Sequence, residues 1–363
     1  MIHKGLKDVT VVETKISLIN GQEGQLTYRG YSINKLALQF SFEEISYLLW
    51  HGYLPDKKEL DTFSRSLKAH RALPKNMYQL IENLSKEADM MSKIRTILSS
   101  LGTNHFKWKP TIDDAIRITA IMPIIIATLY RKERGLKYIA PNMELSHTEN
   151  YLYMLTGSLP SPNKLKALEA YMILTMEHGM NASTFAARVI TSTESDMVSA
   201  ITGAMGAMKG SLHGGALLGV INMLSEIKDK KNVEHWIRRE LENDSRIIGF
   251  GHRVYKTYDP RAKILKKMVS QIGSSNNWIE LAHYIEEVTI KLLKEYKPNQ
   301  NLFTNVDFYA AVIMKILNME SSLYTPTFSA SRVVGWSAHI LEQAENNTMF
   351  RPRSLYTGDT KQK

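Results

Sequence analysis

The sequence predicts an all-α protein with a small N-terminal β element. Helical spacing of apolar residues dominates the chain, and alternating patterns are few. The chain has 363 residues, of which 44% are hydrophobic and 23% are charged, and this is the composition of a soluble globular protein. A chain of this length suggests two or three lobes of ordinary size with ample core to bury.

Two short segments near the N-terminus alternate in the manner of β-strands. They are residues 9–12 and residues 16–19, and Asn20-Gly21 follows the second of them. Asn-Gly is strongly preferred in the two-residue turn of a β-hairpin. We therefore expect a small β element at the N-terminus of a helical body.

Two segments carry clear helix signals. Ser41 can cap a helix with Glu44 three residues later, and apolar residues follow at helical spacing until Gly52. Residues 164–180 predict a second, longer helix, which the chain enters through a turn rich in proline. Both segments support the helical class.

Small residues form a stripe in a third predicted helix, residues 193–208. Ala200, Ala204 and Ala207 lie on one face of this helix, with Gly203 and Gly206 beside them. Small side chains let a second backbone approach closely, so the stripe indicates a helix–helix seam or a subunit interface. Ordinary core packing explains the same pattern, and the sequence leaves the choice open.

The longest apolar run, residues 118–130, is too short to cross a bilayer, which takes about 20 residues, and Pro123 interrupts it. We interpret it as a buried helix. The first residues turn polar at once, so we expect no secretory signal, no membrane partner and a cytoplasmic location. The chain has no cysteine, which excludes disulfides, a thiolate nucleophile and cysteine-ligated metal sites.

The net charge is +10, and a basic surface attracts anions without specifying which. The basic residues are scattered, and no basic helix carries interleaved aromatic residues, so nucleic acid is disfavoured as a partner. The patterns GxxxxGK[ST], GxGxxG, HExxH and GxSxG are all missing. We therefore expect no metal and no permanently bound cofactor.

Three of the eleven histidines stand in segments of unusual composition, and each of the three is next to a glycine. His213 precedes Gly214, His252 follows Gly251, and His178 precedes residue 179, which is also a glycine. Such a neighbour lets a ligand reach the ring and the backbone amides, although a histidine in an ordinary turn has the same setting. The combination favours a binding site in the glycine-rich segments 210–215 and 249–251.

Four charged residues have settings that suit a carboxylate substrate. Asp307 opens an apolar helix, where it can be a helix cap or a base whose pKa is raised by its surroundings. Arg261, Arg332 and Arg351 carry planar guanidinium groups, which bind carboxylates through paired hydrogen bonds. Surface ion pairs are the alternative for each arginine.

Nine segments, taken together, resemble the citrate synthase family from end to end. They occur in family order at residues 28–31, 41–44, 48–55, 181–184, 209–216, 249–262, 305–309, 332–343 and 351–358. The resemblance implies the two-domain helical fold of that family. Residues 1–213 would form the first part of a large domain, residues 214–322 a small domain, and residues 323–363 the return to the large domain and a C-terminal arm. The short length resembles dimeric members, so we expect a homodimer.

The resemblance also implies the reaction, in which acetyl-CoA as co-substrate condenses with oxaloacetate and water to give citrate and CoA. His213 would stabilise the enol of acetyl-CoA, Asp307 would remove the methyl proton, and His252 would polarise the oxaloacetate carbonyl. The implied oxaloacetate or citrate ligands are His178, Asn181, Arg261, Arg332 and Arg351, the last reaching in from the partner subunit. The implied CoA ligands are Arg246, Ile248, Gly249, Phe250, Gly251, Lys256 and Asn305.

Two positions depart from the family pattern. The pattern has glutamate directly after the histidine that matches His178, but this chain has Gly179 there, with Glu177 on the other side. Ser211 replaces the usual proline two residues before His213. Two other functions stay open: a 2-methylcitrate synthase that uses propionyl-CoA, and a basic helical protein that binds anions or nucleic acid without catalysis.

Overall fold

The computed structural model describes residues 2–6, 8–272 and 277–359, and the regular secondary structure within them is almost all helix, which confirms the predicted all-α class. The α-helices are α1 (Ile33–Gln39), α2 (Phe42–His51), α3 (Lys57–Ala69), α4 (Lys75–Asn83), α5 (Met90–Ser100), α6 (Ile112–Glu133), α7 (His147–Thr156), α8 (Pro162–Met176), α9 (Ala182–Ser192), α10 (Met197–Met208), α11 (Ala216–Ile227), α12 (Val233–Glu242), α13 (Pro260–Gln271), α14 (Asn277–Tyr296), α15 (Val306–Ile316) and α16 (Tyr324–Glu345). Single turns of 3₁₀-helix occur at Lys4–Leu6, Lys230–Asn232 and Ser321–Leu323.

The predicted β element is a small antiparallel sheet of three strands, β1 (Ser17–Asn20), β2 (Gln25–Tyr28) and β3 (Tyr31–Ser32), in that order. A hairpin forms where it was predicted, but its turn spans four residues, 21–24, and Asn20 is the last residue of β1, paired with Gln25. The strand expected at residues 9–12 is wrong. That segment has no neighbouring strand to hydrogen-bond with, and its valines line a cleft against the C-terminal end of α16 instead.

Helix α2 forms as its sequence predicts. The Ser41 hydroxyl accepts a hydrogen bond from the Glu44 backbone, and the Glu44 carboxylate accepts one from the Ser41 backbone, which is a complete capping box. Gly52 ends the helix with φ of 90°, a left-handed conformation that glycine adopts without strain.

Helix α8 ends four residues earlier than the predicted span 164–180. Glu177 leaves the helix in an extended conformation, and Gly179 follows with φ of +59°. The Tyr28 hydroxyl explains the early end, because it donates to the Glu177 carbonyl at 2.8 Å and accepts from the Glu177 N–H at 3.2 Å. The break turns His178 out of the helix.

Helix α10 begins at Met197, four residues later than predicted, because the Asp196 side chain caps it by accepting the Ser199 N–H. Its small residues form a helix–helix seam with α9. A Cβ at Gly203 would lie 2.1 Å from the terminal methyl group of Ile190 on α9, so a larger residue would have to displace the Ile190 side chain. The alternative of a subunit interface stays a prediction.

Helix α6 contains the apolar run 118–130, and its central residues, Pro123 included, are buried, which confirms the prediction of a buried helix. In the described part of the chain, no helix is both long and apolar enough to span a membrane.

Helix α16 lies at the centre of one group of helices, where it packs against α2, α6, α8, α9 and α10. Helices α11, α13 and α14 all pack against α15, and α13 also packs against α8. The division into a large and a small domain stays a prediction. The boundaries at 213/214 and 322/323 stay predictions, and residues 1, 7, 273–276 and 360–363 lie outside the described residues.

Candidate active site

Three aromatic rings meet where α8 ends. His178 Nε2 lies 3.1 Å from the Tyr255 hydroxyl, and the His178 and His252 rings are 5.4 Å apart, edge to face. Burial, followed by the charges of Arg261 and of His252 itself, holds the pKa of His178 well below its usual value. His178 is therefore a neutral ring at physiological pH, in contact with a second candidate residue.

The backbone around His252 determines which nitrogen of its ring carries the proton. Nδ1 accepts hydrogen bonds from the N–H groups of Val254 at 3.0 Å and Tyr255 at 3.2 Å. Burial and the charge of Arg261 lower the pKa of His252 to about 4, so the ring is neutral and its one proton is on Nε2. Nε2 lies 3.3 Å from Arg261 Nη2, and two adjacent donors of this kind make a place for a single acceptor such as a carbonyl oxygen.

Arg261 is buried and paired with Asp259, the residue that caps α13. The Asp259 carboxylate accepts Arg261 Nε at 3.0 Å and Nη2 at 2.9 Å, and it also accepts the Val306 N–H at 3.0 Å. One carboxylate thus holds the guanidinium group and the first residue of α15 together. Asp259 was not among the residues predicted for the site.

Asp307 is the second residue of α15, and the interpretation of this residue as the helix cap is wrong. Asn305 is the cap, because its side-chain oxygen accepts the Asp307 N–H at 3.0 Å. The Asp307 carboxylate has no hydrogen-bond donor among the described residues. Burial raises its pKa to about 6, against the opposing charge of Arg261. A carboxylate in this state is a stronger base than an exposed one.

His213 lies in the turn between α10 and α11. Its Nε2 is 2.8 Å from the Ser183 hydroxyl, and that oxygen also accepts a hydrogen bond from Trp336 Nε1 at 3.0 Å. Burial and the charge of Arg332 lower the pKa of His213 to about 4, so this imidazole is also neutral. Sequence reasoning did not select Ser183 or Trp336, although Ser183 lies within one of the segments that carry the family resemblance.

Asn181 caps α9 and does not point freely into the site. Its side-chain oxygen accepts the Thr184 N–H at 3.1 Å and the Ser183 hydroxyl at 2.7 Å. The amide therefore supports the serine that contacts His213.

Arg332 is buried in the middle of α16. Its Nε donates to the Thr175 carbonyl at 2.6 Å, and its guanidinium carbon lies 4.9 Å from the centre of the Phe328 ring. Its charge lowers the pKa of both His178 and His213. Arg332 and Arg261 thus place two buried cations around the histidines.

The glycine-rich loop before His252 is held against residues 303–305. Gly251 donates to the Phe303 carbonyl at 2.7 Å, and Asn305 donates from its backbone to Gly249 O and from its side chain to Gly251 O, both at 2.9 Å. Gly249 has φ of +93°, and a Cβ there would press on the Phe308 side chain at 3.2 Å. Phe250 is buried beside Phe308.

Three of the residues predicted to bind CoA are exposed near this loop: Arg246, Ile248 and Lys256. The Lys256 N–H donates to the Gly21 carbonyl at 2.8 Å, so the tip of the N-terminal hairpin contacts the loop. Among the described residues, the ammonium group of Lys256 hydrogen-bonds only to the Arg253 carbonyl, at 3.3 Å, and it is exposed.

Arg351 lines a cleft of its own chain that is separate from the histidine contacts described above. It is exposed on the segment after α16 and lines an open cleft of about 1650 Å³ with residues 11–15 and with Phe185 and Phe350. None of the other predicted site residues lines that cleft. This position leaves the expected role of Arg351 in a partner's site as a prediction.

Position 179 is a glycine where the family pattern has a glutamate, and Glu177, two residues earlier in the chain, supplies a carboxylate nearby. The buried Glu177 carboxylate accepts hydrogen bonds from the Gly179 N–H and from the Ser17 hydroxyl, and its Oε1 lies 3.2 Å from His339 Nε2. A side chain at position 179 would also meet Ile19 at 2.9 Å. Glu177 thus supports the His178 segment with a carboxylate from the preceding position.

The described residues contain no cluster of three or more histidine and acidic side chains that could hold a metal ion. The site consists of neutral imidazoles, buried guanidinium groups and one carboxylate with a raised pKa. Such a set binds a small substrate with several carboxylates and moves protons at carbon and oxygen.

Comparisons with known proteins agree with this chemistry. The family model described as "Citrate synthase, C-terminal domain" matches residues 5–353. "Citrate synthase 2" of Bacillus subtilis is 41% identical over 99% of this chain and 97% of its own length. "2-Methylcitrate synthase" of Mycobacterium tuberculosis is 40% identical over 98% of this chain and 91% of its own length. The solved ternary complex of carboxymethyl coenzyme A and oxaloacetate with citrate synthase from Thermoplasma acidophilum superposes with a TM-score of 0.91 at 33% identity and covers 100% of this chain and 98% of that one.

Proposed function

The chain belongs to the citrate synthase family, and from that premise we propose that it condenses acetyl-CoA with oxaloacetate and water to give citrate and CoA. The observation that carries the proposal is a set of two neutral imidazoles, His213 and His252, and a carboxylate whose pKa is about 6, each of them under the charge of the buried Arg261 or Arg332. Two weakly basic proton donors and one strengthened base are what an enolisation followed by an attack on a ketone requires.

The first step is the enolisation of acetyl-CoA. Asp307 takes a proton from the methyl carbon, and the electron pair of that C–H bond moves towards the thioester oxygen. A carboxylate is too weak a base to do this unless the oxygen is stabilised as its charge develops. His213 supplies that stabilisation as a neutral donor, and Ser183 orients its ring.

The second step forms the carbon–carbon bond. Arg261, Arg332 and His178 hold the carboxylates of oxaloacetate, and the positive charge of the two arginines makes the ketone carbon easier to attack. The enol carbon bonds to that carbon, and the ketone oxygen takes up a proton from His252 Nε2. The proton that Asp307 removed then returns to the His252 ring, so that both groups regain their starting states. Holding both substrates in one site lowers the entropic part of the activation barrier by roughly several kcal/mol.

The third step is the hydrolysis of citryl-CoA, in which water breaks the C–S bond and releases citrate and CoA. Water must stay out until condensation is complete, and closure of the small domain over the large one provides this order. We propose that residues 246–251, Lys256 and Asn305 hold CoA. We also propose that the enzyme is a homodimer in which Arg351 completes the site of the partner.

A second candidate is 2-methylcitrate synthase, which the Mycobacterium tuberculosis relative favours at 40% identity. The same residues serve both reactions, and the extra methylene of propionyl-CoA changes binding by only about 1–3 kcal/mol. The deciding experiment compares kcat/KM for thiol release from the two acyl-CoAs with oxaloacetate present and identifies each product by mass. We expect a preference for acetyl-CoA, and a strong preference for propionyl-CoA would replace the first proposal by the second.

The non-enzymatic alternative has its own outcome in the same experiment. If neither acyl-CoA releases thiol while the protein binds DNA at physiological salt, the protein functions by binding anions through its basic surface and not by catalysis.

A further inference from the structure

A buried carboxylate outside the predicted site connects the segments that carry the site. Glu286 lies on α14 and is 3% exposed. Its Oε1 accepts the Thr304 hydroxyl at 2.6 Å and the Tyr258 hydroxyl at 3.0 Å, and its Oε2 accepts the Tyr309 hydroxyl at 2.6 Å and Lys266 Nζ at 2.5 Å. Four donors fill the lone-pair positions of one carboxylate, so Glu286 holds all four groups in fixed places.

Two of these donors flank Asp307 in the chain. Thr304 lies three residues before Asp307 and is fully buried, and Tyr309 lies two residues after it in the first turn of α15. The start of the helix that presents the Asp307 carboxylate is therefore attached to Glu286 from both sides. Asp307 has no hydrogen-bond donor of its own in the described residues, so these attachments determine where its carboxylate lies.

The third donor reaches the other half of the site. Tyr258 precedes Asp259, which holds Arg261 and accepts the Val306 N–H at 3.0 Å. The segment with His252 and Arg261 and the segment with Asp307 thus meet at two carboxylates, Asp259 and Glu286. Only the fourth donor, Lys266, extends towards solvent, with 43% of its side chain exposed.

The charge state of Glu286 suits this role. Burial alone would raise its pKa, but hydrogen bonds from Lys266, Thr304 and Tyr309 outweigh burial and leave the pKa below its usual value. The carboxylate is therefore ionised at neutral pH and accepts all four hydrogen bonds at once.

We infer that Glu286 is a positioning residue for the proposed condensation: it does not touch substrate, and it fixes Asp307 relative to Arg261 and His252 through Thr304, Tyr309 and Tyr258. The inference rests on the proposed function. The inference separates the enolisation from the binding of oxaloacetate. The enolisation depends on where Asp307 lies. Oxaloacetate binding depends mainly on the buried arginines, and one of them, Arg332, lies on α16, away from Glu286.

The test is Glu286→Gln, which keeps the size of the side chain but replaces Oε2 with an NH₂ group that cannot accept from Tyr309 or Lys266. We expect kcat to fall by about tenfold or more, since an error on the order of 1 Å in a reacting group has effects of this size. The deuterium isotope effect on kcat/KM with [²H₃]acetyl-CoA should increase, because proton removal becomes more rate-limiting. The KM for oxaloacetate should change by less than about threefold.

Glu43→Gln is the matched control. Glu43 is also buried, accepts the His147 N–H at 2.7 Å and lies on α2 away from the site, so its substitution reproduces the general cost of removing a buried carboxylate. A Glu286→Gln enzyme whose isotope effect equals that of wild type and of Glu43→Gln would overturn the inference. If Glu286→Gln does not fold, Tyr309→Phe and Thr304→Val each remove one donor and must show the same increase.

The failure of the inference is distinguishable from the failure of the proposed function. Wild-type enzyme without thiol release from either acyl-CoA refutes the proposed function before any variant is compared. Wild-type turnover combined with an unchanged isotope effect in the three variants refutes only the role of Glu286.

Discussion

Nε2 of His213 lies 2.8 Å from the hydroxyl oxygen of Ser183, the second residue of helix α9. Trp336 Nε1 donates to the same oxygen, and the serine hydroxyl donates to Asn181 Oδ1, so in this structure the His213 Nε2–H donates to Ser183. Donation from Nδ1 to the thioester oxygen requires the other arrangement, in which the serine proton turns from Asn181 Oδ1 to Nε2 and the neutral ring carries its proton on Nδ1. Ser183 is thus the group that can select the tautomer.

Ser183→Ala should therefore lower kcat without weakening oxaloacetate binding. The variant removes the group that orients the His213 ring and selects its tautomer, and we expect a loss of about tenfold to a hundredfold in kcat. Steady-state thiol release at saturating oxaloacetate measures it. Ser46→Ala is the control, since Ser46 is another fully buried serine, and within the described ranges its hydroxyl bonds only to the Phe42 carbonyl. Equal kcat values in the two variants would contradict the role of Ser183.

Asp307→Ala tests the proposed base. Proton removal from the methyl group is lost, while Arg261 and Arg332 still hold oxaloacetate, so kcat should fall by roughly two to four orders of magnitude with little change in oxaloacetate affinity. Single-turnover kinetics measures the first quantity, and isothermal titration with oxaloacetate measures the second. Near-normal turnover in this variant is incompatible with the assignment.

The same carboxylate should produce the acid limb of the pH profile. Burial raises the pKa of Asp307 to about 6, and the residue acts as a base only when ionised. The kcat/KM for acetyl-CoA should therefore fall as the pH drops through about 6, by about tenfold per unit below it. The pKa values of His213 and His252 are about 4, so neither ring should add a limb between pH 5 and pH 8, approximately. A profile that stays flat down to pH 5, approximately, would contradict this prediction.

A raised carboxylate pKa also has a cost in stability, and its sign follows from linkage. Below the unfolded pKa, near 3.8, Asp307 is protonated in both states and has no effect; above the folded pKa of about 6, the folded state carries the full penalty. Asp307→Asn removes this charge at nearly constant shape. It should raise the free energy of unfolding at pH 8 by up to about 3 kcal/mol, and this gain should disappear towards pH 4. Urea unfolding at the two pH values checks this, and a gain of equal size at both would point to packing instead.

The sequence predicted the residues proposed to carry out the chemistry better than the residues that hold them in place. Glycine-flanked histidines and Asp307 stand out in the chain because their residue types and neighbours are unusual there. Ser183 and Asp259 do not, because a serine or aspartate near the start of a helix is an ordinary cap. Their contacts with His213 and Arg261 exist only once distant segments meet. The sequence gives even less indication of the role of Glu286. Its four hydrogen-bond donors are spread over residues 258–309, and a charged residue on a helix normally faces solvent.

The local errors have the same origin. Residues 9–12 alternate like a strand, but a strand needs a neighbour for its backbone hydrogen bonds, and this segment meets α16 instead. Residues 177–180 continue a helical pattern, but the hydroxyl of Tyr28 takes up the backbone groups of Glu177 and ends the helix. In both places a tertiary contact overrides local propensity.

Arg332 provides the last prediction, because it separates binding from chemistry. Its guanidinium group is buried and attached to the Thr175 carbonyl by Nε, which leaves its two terminal nitrogens for a ligand carboxylate. Arg332→Lys should raise the KM for oxaloacetate by at least about tenfold, because an ammonium group cannot make the paired hydrogen bonds of a guanidinium group.

Arg131→Lys is the matched control, since Arg131 is buried to a similar degree and also donates to backbone carbonyls, those of Lys137 and Leu155. That control should reduce stability and leave the KM unchanged. An unchanged oxaloacetate KM in Arg332→Lys would remove Arg332 from the carboxylate clamp, and the binding of oxaloacetate would then depend on Arg261, His178 and Arg351 alone.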